Sequence, residues 1–98
     1  KEDRTWRGRT YASKREMIVA QEFDMMLKAG EIIELQEQPR IVLIPKPNQI
    51  VYVPDFRVVW RGGREEYFDV KGMETDVFKL KEKLFHHFFP KKNLTIVS

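Results

Sequence analysis

A turn signal between two alternating apolar stretches constrains this chain more than any other feature of its sequence. Residues 50–60 and 64–71 read as β-strands, and Arg61–Gly62–Gly63 between them is typical of a tight hairpin. The large apolar residues occupy even-numbered positions on both strands: Tyr52, Phe56, Val58 and Trp60 on the first, and Phe68 and Val70 on the second. Because a slip of one residue would turn one of these sets outward, the register is fixed. We expect paired residue numbers to sum to 124.

This register places two carboxylates directly across the hairpin. Asp55 faces Asp69, with Cβ atoms about 5 Å apart on the odd-numbered face, and Lys71 follows on the same face. Two like charges this close cost stability unless a cation or a shared proton offsets the repulsion. Oxygen ligands of this kind suit Mg²⁺ or Mn²⁺, so the pair predicts a divalent metal site. The alternative is a solvated face, on which Arg57 or Lys71 pairs with each carboxylate.

A first helix is predicted from Ser13 to Ala29, with Ser13 as N-cap, Glu16 in the capping-box position and Gly30 after the C-terminus. Its apolar stripe comprises Val19, Ala20, Phe23, Met26 and Leu27. The residues predicted to face away are Gln21, Asp24 and Lys28. Glu16 falls inside the stripe, where a carboxylate needs a partner. It is therefore either a third acid at the metal site or simply part of the capping box.

The remaining segments complete an α-β-β-β-α-β order. Residues 31–40 read as a polar connection, and residues 41–44 as a short strand covered on both faces, followed by a proline-rich turn. A second helix is predicted from Asp76 to Phe89, before Pro90, and a last strand at residues 94–97. We therefore expect an α+β fold with a mixed central sheet flanked by helices. A basic N-terminal arm at residues 1–12 would precede one domain at 13–98.

The second helix carries one cation where an apolar side chain is expected. Its predicted apolar face comprises Val77, Phe78, Leu80, Leu84, Phe85, Phe88 and Phe89. The residues predicted to face solvent are Lys79, Glu82, Lys83 and His86. Lys81 lies within the apolar arc, so its ammonium either extends to solvent or reaches the carboxylates or a bound phosphate, and we favour the second. The adjacent His86 and His87 point to different sides of the helix, which does not suit a zinc site.

Charge is unevenly distributed along the 98 residues, although the net charge is only +3. Residues 1–15 and 71–98 are basic, and residues 16–40 are acidic. Basic ends of this kind could hold a phosphate-bearing partner, and the alternative is an ordinary mixed surface. The absence of cysteine excludes disulfides and thiolate chemistry, and is compatible with a reducing cytoplasm. Because the chain opens on Lys1, we expect it to be trimmed at its N-terminus.

Several short motifs, in order, resemble the PD-(D/E)xK nuclease superfamily. Pro54–Asp55 is followed after thirteen residues by Asp69–Val70–Lys71, and both come after a helix with an inward Glu. The wider sequence also resembles small phage-encoded proteins of mainly unknown function, phage Holliday junction resolvases and the nuclease subunit of a cut-and-paste transposase. The segments that carry this are 13–16, 28–32, 38–39, 52–56, 69–72 and 78–85.

The resemblance implies a restriction-endonuclease-like core and a Mg²⁺- or Mn²⁺-dependent DNA endonuclease. Asp55, Asp69, Glu16 and the backbone carbonyl of Val70 would be metal ligands, and Lys71 the catalytic lysine beside the three acids. The supporting site residues would be Gln38 and Lys81. The second acid is Asp here, whereas Glu is commoner in the superfamily, which shortens its reach.

The implied substrate is branched DNA, such as a Holliday junction, cut by a homodimer in the cytoplasm of a bacterial host by a phage- or prophage-encoded protein. The residues expected to contact DNA are Arg7, Arg9, Lys14, Lys79 and Lys83. No membrane and no small-molecule cofactor is expected. One alternative is a nuclease fold that binds DNA or a host protein without cutting, and another is a purely structural subunit.

Overall fold

The computed structural model describes residues 3–98, which form an α+β fold with a mixed sheet and two helices. The elements are β1 (Thr5–Trp6), β2 (Arg9–Thr10), α1 (Lys14–Lys28), β3 (Ile32–Glu37), β4 (Ile41–Ile44), β5 (Ile50–Tyr52), β6 (Phe56–Trp60), β7 (Glu65–Val70), α2 (Asp76–Phe88) and β8 (Leu94–Val97). Neither helix in this part of the chain combines the length and apolar character needed to cross a bilayer.

The main sheet has four strands in the order β3-β6-β7-β8. Its strands are antiparallel except for β8, which runs parallel to β7 because α2 returns the chain to the same end of the sheet. Between β6 and β7, Phe56 pairs with Phe68 and Val59 pairs with Glu65. The predicted register is therefore confirmed.

Two predicted boundaries in the β-region are wrong. Residues 31–40 are not a polar connection, because they contain the edge strand β3. A register irregularity between Ile32 and Glu34 breaks the alternation there, so that Ile33 and Glu34 are both exposed after the buried Ile32. The expected strand 50–60 is also interrupted: β5 pairs with β4 in a separate two-stranded sheet, and the chain leaves strand geometry before β6.

Both helices form where the sequence places them. Ser13 Oγ accepts the backbone N–H of Glu16 at 3.0 Å, which caps α1. At its other end, Gly30 has a φ of +80° and the Glu31 N–H donates to Met26 O at 2.9 Å, the Schellman arrangement that favours glycine. Thr75 Oγ1 caps α2 by accepting the Phe78 N–H at 3.1 Å.

Two apolar clusters cover opposite faces of the main sheet. One lies between α1 and the even-numbered side of the β6–β7 hairpin, around Phe23, Phe56 and Val58. The other lies beneath α2, where Phe85 packs against Tyr67. Tyr52 belongs to this second cluster, so its predicted grouping with the even-numbered face is wrong, because the break before β6 interrupts the alternation.

The predicted burial or exposure of several side chains is also wrong. Asp24 of α1 is buried, at 7% exposure, because Arg7 of the N-terminal hairpin and Lys28 pair with it. β4 is not covered on both faces, because its two-stranded sheet packs only one face on α2 and leaves Val42 exposed. On α2, the cluster buries Phe78 and Phe85. The residues of the predicted apolar face that are exposed instead are Val77, Leu80 and Phe88.

Candidate functional site

The two predicted carboxylates meet at one edge of the main sheet. Asp69 lies near the end of β7, and Asp55 directly precedes β6, after the buried Pro54. Asp55 Oδ2 accepts the backbone N–H of Val70 at 2.7 Å, which fixes its side chain across the hairpin. Asp55 and Asp69 therefore lie close together, as the sequence predicts. They lie at the end of the sheet where the chain enters β6 and leaves β7.

Asp69 is the most deeply buried of these acids, at 1% exposure. Its Oδ2 accepts the hydroxyl of Tyr52 at 2.5 Å. Its Oδ1 is buried and accepts no hydrogen bond from residues 3–98, although Lys71 Nζ lies 3.3 Å away. The alternative interpretation is wrong in expecting a solvated face for Asp69, but the pairing of Lys71 with this carboxylate that it predicted is confirmed. Arg57 instead pairs with Glu34 and Glu65. A buried carboxylate oxygen without a hydrogen bond is costly and needs an explanation.

Electrostatics at this edge of the sheet disfavours two full negative charges. Burial, followed by hydrogen bonding to Asp69, raises the pKa of Asp55 to about 7, against the opposing effect of the Val70 N–H. Burial, followed by hydrogen bonding to Asp69, also raises the pKa of Tyr52, which keeps that hydroxyl a donor. The pair therefore holds a proton near neutral pH unless another cation replaces it.

Glu16 joins this group from the first turn of α1. Its side chain is buried, at 4% exposure. Burial raises the pKa of Glu16, the positive charge of Arg9 opposes that shift, and Asp69 adds to it. Only the backbone N–H of Glu16 is used by Ser13. The helix cap and the acidic cluster are therefore compatible roles for this residue.

Lys81 and Lys71 lie on the same cavity. Both lysines line a cavity of about 280 Å³ between β5 and the start of α2, together with Tyr52 and Phe78. Lys71 Nζ also lies 4.7 Å from the centre of the Phe78 ring. The position of Lys81 in the apolar arc of α2 is thus explained, because the arc borders a partly polar cavity. An anion placed there would meet two ammonium groups.

Gln38 lies beside the carboxylates through its backbone. It has a positive φ of 53° directly after β3, and its N–H donates to Asp55 O at 2.9 Å. Its side chain is exposed. The structure therefore places Gln38 at the rim, where it supports the loop that carries Asp55.

The residues expected to contact DNA lie in different surroundings. Arg7 pairs with Asp24 at 2.7 Å, and Arg9 lies 3.8 Å from Glu37. Lys14 borders a cavity of about 340 Å³ at the start of α1, and Lys79 and Lys83 are exposed on α2.

Sequence reasoning missed two contacts in and around this site. Tyr52 donates to Asp69, and Tyr11 donates to Glu37 at 2.9 Å near the N-terminal hairpin. Each of these pairs joins residues that are distant in sequence, so no local spacing indicates them. The sequence pattern around β5 also predicted the wrong face of the sheet for Tyr52. Uninterrupted alternation would put this side chain on the even-numbered face.

The oxygen donors at this edge of the sheet are of the type that hard cations bind. Within residues 3–98, no three or more Asp, Glu or His side chains form a group that could hold a metal ion as they stand. Two opposed aspartates and one oxygen without a hydrogen bond nevertheless match the few-carboxylate coordination that Mg²⁺ uses together with water and substrate phosphate.

Comparison with known proteins gives a family but no described activity. A family model with the description "Protein of unknown function (DUF1064)" matches residues 2–98, so the chain belongs to that family. No curated protein and no solved structure matches the chain.

Proposed function

We propose that this member of a family of unknown function is a metal-dependent DNA endonuclease with a restriction-endonuclease-like core. The element order supports the fold assignment. If the hairpin β1–β2 and the inserted pair β4–β5 are set aside, the chain runs α1-β3-β6-β7-α2-β8. That is the α-β-β-β-α-β order which the resemblance implies, with the carboxylates on the central hairpin.

The observation that carries the proposal is the pair Asp55 and Asp69. Two carboxylates share a buried edge of the sheet, one of their oxygens accepts no hydrogen bond from residues 3–98, and Asp55 keeps its proton to about pH 7. Lys71 Nζ lies 3.3 Å from that oxygen, so a single ammonium faces two carboxylates and leaves the pair with an excess of negative charge. A divalent ion would satisfy these oxygens and remove the repulsion.

Each residue then has a defined task. Asp55, Asp69 and the Val70 carbonyl would hold Mg²⁺ or Mn²⁺, with Glu16 adding negative charge next to Asp55. When bound, such an ion lowers the pKa of a coordinated water and neutralises charge on a phosphate. Lys71, 3.3 Å from Asp69, would orient the attacking water and stabilise the negative charge that develops on the phosphoryl oxygens.

The surroundings favour a nucleic-acid substrate. Lys71 and Lys81 border the cavity on the α2 side, and Lys14 borders the cavity on the α1 side. Cations on both sides of the carboxylates suit a phosphodiester backbone that crosses the edge of the sheet. Branched DNA cut by a homodimer of a phage- or prophage-encoded protein is the specific form of this proposal, and it rests on the sequence resemblance alone.

The test is cleavage of end-labelled four-way junction, flap and linear duplex DNA with Mg²⁺ or Mn²⁺. We expect metal-dependent cutting by the unmodified chain and none by Asp69→Asn, which preserves the size of the side chain and its acceptance from Tyr52. Chelation of the metal should also abolish cutting.

A matched control is Glu65→Gln, since Glu65 lies at the other end of the same strand. This variant should cut whenever it is folded. If the folded chain binds DNA and cuts none of the three substrates, the nuclease assignment fails and a nuclease fold used only for binding takes its place. If Asp69→Asn cuts as fast as the unmodified chain, the carboxylate site is wrong.

A further inference from the structure

The N-terminal hairpin β1–β2 carries two arginines in unlike surroundings. Arg7 NH1 lies 2.7 Å from Oδ1 of the buried Asp24, and its guanidinium also stacks on Trp6 at 5.1 Å. This arginine therefore fastens the hairpin to α1. One of its donors is used in this ion pair, although its side chain is 61% exposed.

Arg9 makes a weaker contact. Its one ion pair within residues 3–98 is with Glu37, at 3.8 Å, which is longer than a hydrogen bond. That carboxylate already accepts the hydroxyl of Tyr11 at 2.9 Å. The Arg9 guanidinium stacks on the Tyr11 ring at 5.4 Å and its side chain is 38% exposed. Stacking on Tyr11 thus orients the Arg9 guanidinium, while most of its N–H donors are available to a ligand.

The contacts of Arg9 connect it with the part of the chain that carries Asp55. Its partner Glu37 pairs with Phe56, the residue after Asp55, across β3 and β6. Arg9 also lines a cavity of about 330 Å³, together with Trp6, Arg7, Tyr11 and Glu37. A phosphate that enters this cavity would lie on the β3 side of the start of β6, and none of the candidate metal ligands lines the cavity.

We propose that the hairpin β1–β2 forms a phosphodiester-binding site, in which Arg9 binds a backbone phosphate of the DNA next to the one that is cut, while Arg7 only holds the hairpin in place. The inference rests on the proposed function for its substrate class. Arg9 would exchange its long contact with Glu37 for two hydrogen bonds to a phosphate, a geometry that guanidinium groups favour. The Tyr11 hydroxyl keeps Glu37 satisfied after this exchange.

The experiment is DNA affinity as a function of salt, with Ca²⁺ in place of Mg²⁺ so that binding can be measured apart from cutting. Fluorescence anisotropy of labelled duplex and four-way junction DNA gives the slope of log affinity against log salt. We expect Arg9→Gln to bind at least roughly tenfold more weakly, because both charge-assisted hydrogen bonds to the phosphate are lost. The slope should fall by about one, which is the signature of one lost phosphate contact.

Three further variants separate this role from a structural one. Arg9→Lys keeps the charge and should restore the salt slope while recovering only part of the affinity. Arg7→Gln should lower the melting temperature and leave the slope unchanged. Arg61→Gln, on the exposed turn between β6 and β7, should change neither quantity.

The outcomes distinguish this site from the metal centre. If Arg9→Gln has the affinity and the slope of the unmodified chain, or if its only effect is on melting temperature, the hairpin site is overturned. If the unmodified chain binds no DNA at low salt, the site is likewise overturned, while Mg²⁺ binding at Asp69 could persist. If the slope falls as expected but no DNA is cut, the hairpin site stands and the nuclease assignment fails.

Discussion

The two ends of the β6–β7 hairpin both carry carboxylates that are buried or half-buried, and they differ in what surrounds them. At the turn end, Glu65 contacts Arg57 Nε at 2.5 Å and Lys92 Nζ at 2.9 Å. Beside it, Glu66 accepts the Thr95 hydroxyl at 2.5 Å and the Trp60 indole N–H at 3.2 Å. At the open end, Asp55 and Asp69 face each other, and Asp69 Oδ1 accepts no hydrogen bond from residues 3–98, although Lys71 Nζ lies 3.3 Å from it.

The pKa directions of the two ends are opposite. Burial alone would raise the pKa of Glu65, but hydrogen bonds from Lys92 and Arg57 outweigh it and lower the pKa. Burial and Asp69 raise the pKa of Asp55 to about 7. One end is therefore stable as a set of charges, and the other becomes so only with a proton or an added cation. The residue type alone does not distinguish a structural carboxylate from a candidate metal ligand. The cations and hydrogen-bond donors that surround the carboxylate do.

The largest expected effect comes from replacing the lysine at each end. Lys71→Ala should reduce the rate of metal-dependent DNA cleavage by about 10²–10³-fold, as for the loss of one preorganised charge at the reacting phosphate. Lys92→Ala, which removes the corresponding ion pair at the turn end, should leave the rate within a few-fold. The rates are measured in single-turnover cleavage, and Mg²⁺ binding to Lys71→Ala is followed by calorimetry. Equal losses in both variants would remove the functional difference between the ends.

For stability, we expect the larger effect from a substitution at the turn end. Glu65→Gln leaves Arg57 and Lys92 without their shared partner, so we expect the free energy of unfolding to fall by about 1–3 kcal/mol. Urea denaturation at pH 7 measures this change. The control is Glu34→Gln, which removes the more exposed carboxylate partner of Arg57 and should therefore cost less. A loss no larger than that of Glu34→Gln would show that the turn end contributes little to stability.

The comparison also shows what the sequence could and could not reveal. The register that opposes Asp55 to Asp69 follows from alternation and one glycine turn, because both are local properties of β6 and β7. The inward position of Glu16 follows from the periodicity of α1 in the same way. These features could be predicted, and they account for most of the candidate site.

What could not be predicted depends on breaks in periodicity and on distant contacts. The register irregularity in β3 breaks the apolar alternation, so the sequence pattern did not indicate this strand of the main sheet. The interruption before β6 puts Tyr52 on the face opposite to the predicted one. The burial of Asp24 depends on Arg7, seventeen residues away in the chain. Arg7 and Arg9 look alike in sequence, and only their contacts separate an anchor from a candidate phosphate ligand.

A smaller effect is expected from replacing one charge of the repelling pair. The pKa of Asp55 is raised from 3.8 to about 7, so its protonated form stabilises the fold. That contribution is fully present below about pH 4 and is lost as the pH rises through 7. Asp55→Asn should therefore be more stable than the unmodified metal-free chain by about 1 kcal/mol at pH 8, and should show no such gain at pH 4. Chemical denaturation of both chains across this range is the measurement.

The sign of this pH dependence distinguishes the two ends. Glu65 has a lowered pKa, so its contribution is present above its ordinary pKa of 4.5 and is lost on acidification. Glu65→Gln should consequently lose its stability deficit at low pH, where Asp55→Asn also loses its advantage. If Asp55→Asn were destabilised at pH 8, the repulsion between Asp55 and Asp69 would not be what limits stability there.

The smallest effect is the thermal stabilisation by Mg²⁺, and it tests whether the open end accepts a cation in place of a proton. Ligand binding to the folded state adds about 0.4 kcal/mol when the concentration of the free ion equals its dissociation constant. Because Mg²⁺ must displace the proton of Asp55, the rise in melting temperature should be larger at pH 8 than at pH 6. Asp69→Asn should abolish the rise, and Glu65→Gln should retain it, with NaCl at matched ionic strength as the control for screening. A rise of equal size with NaCl, or one that survives Asp69→Asn, would mean that the repelling pair is relieved by its proton alone and is no metal centre.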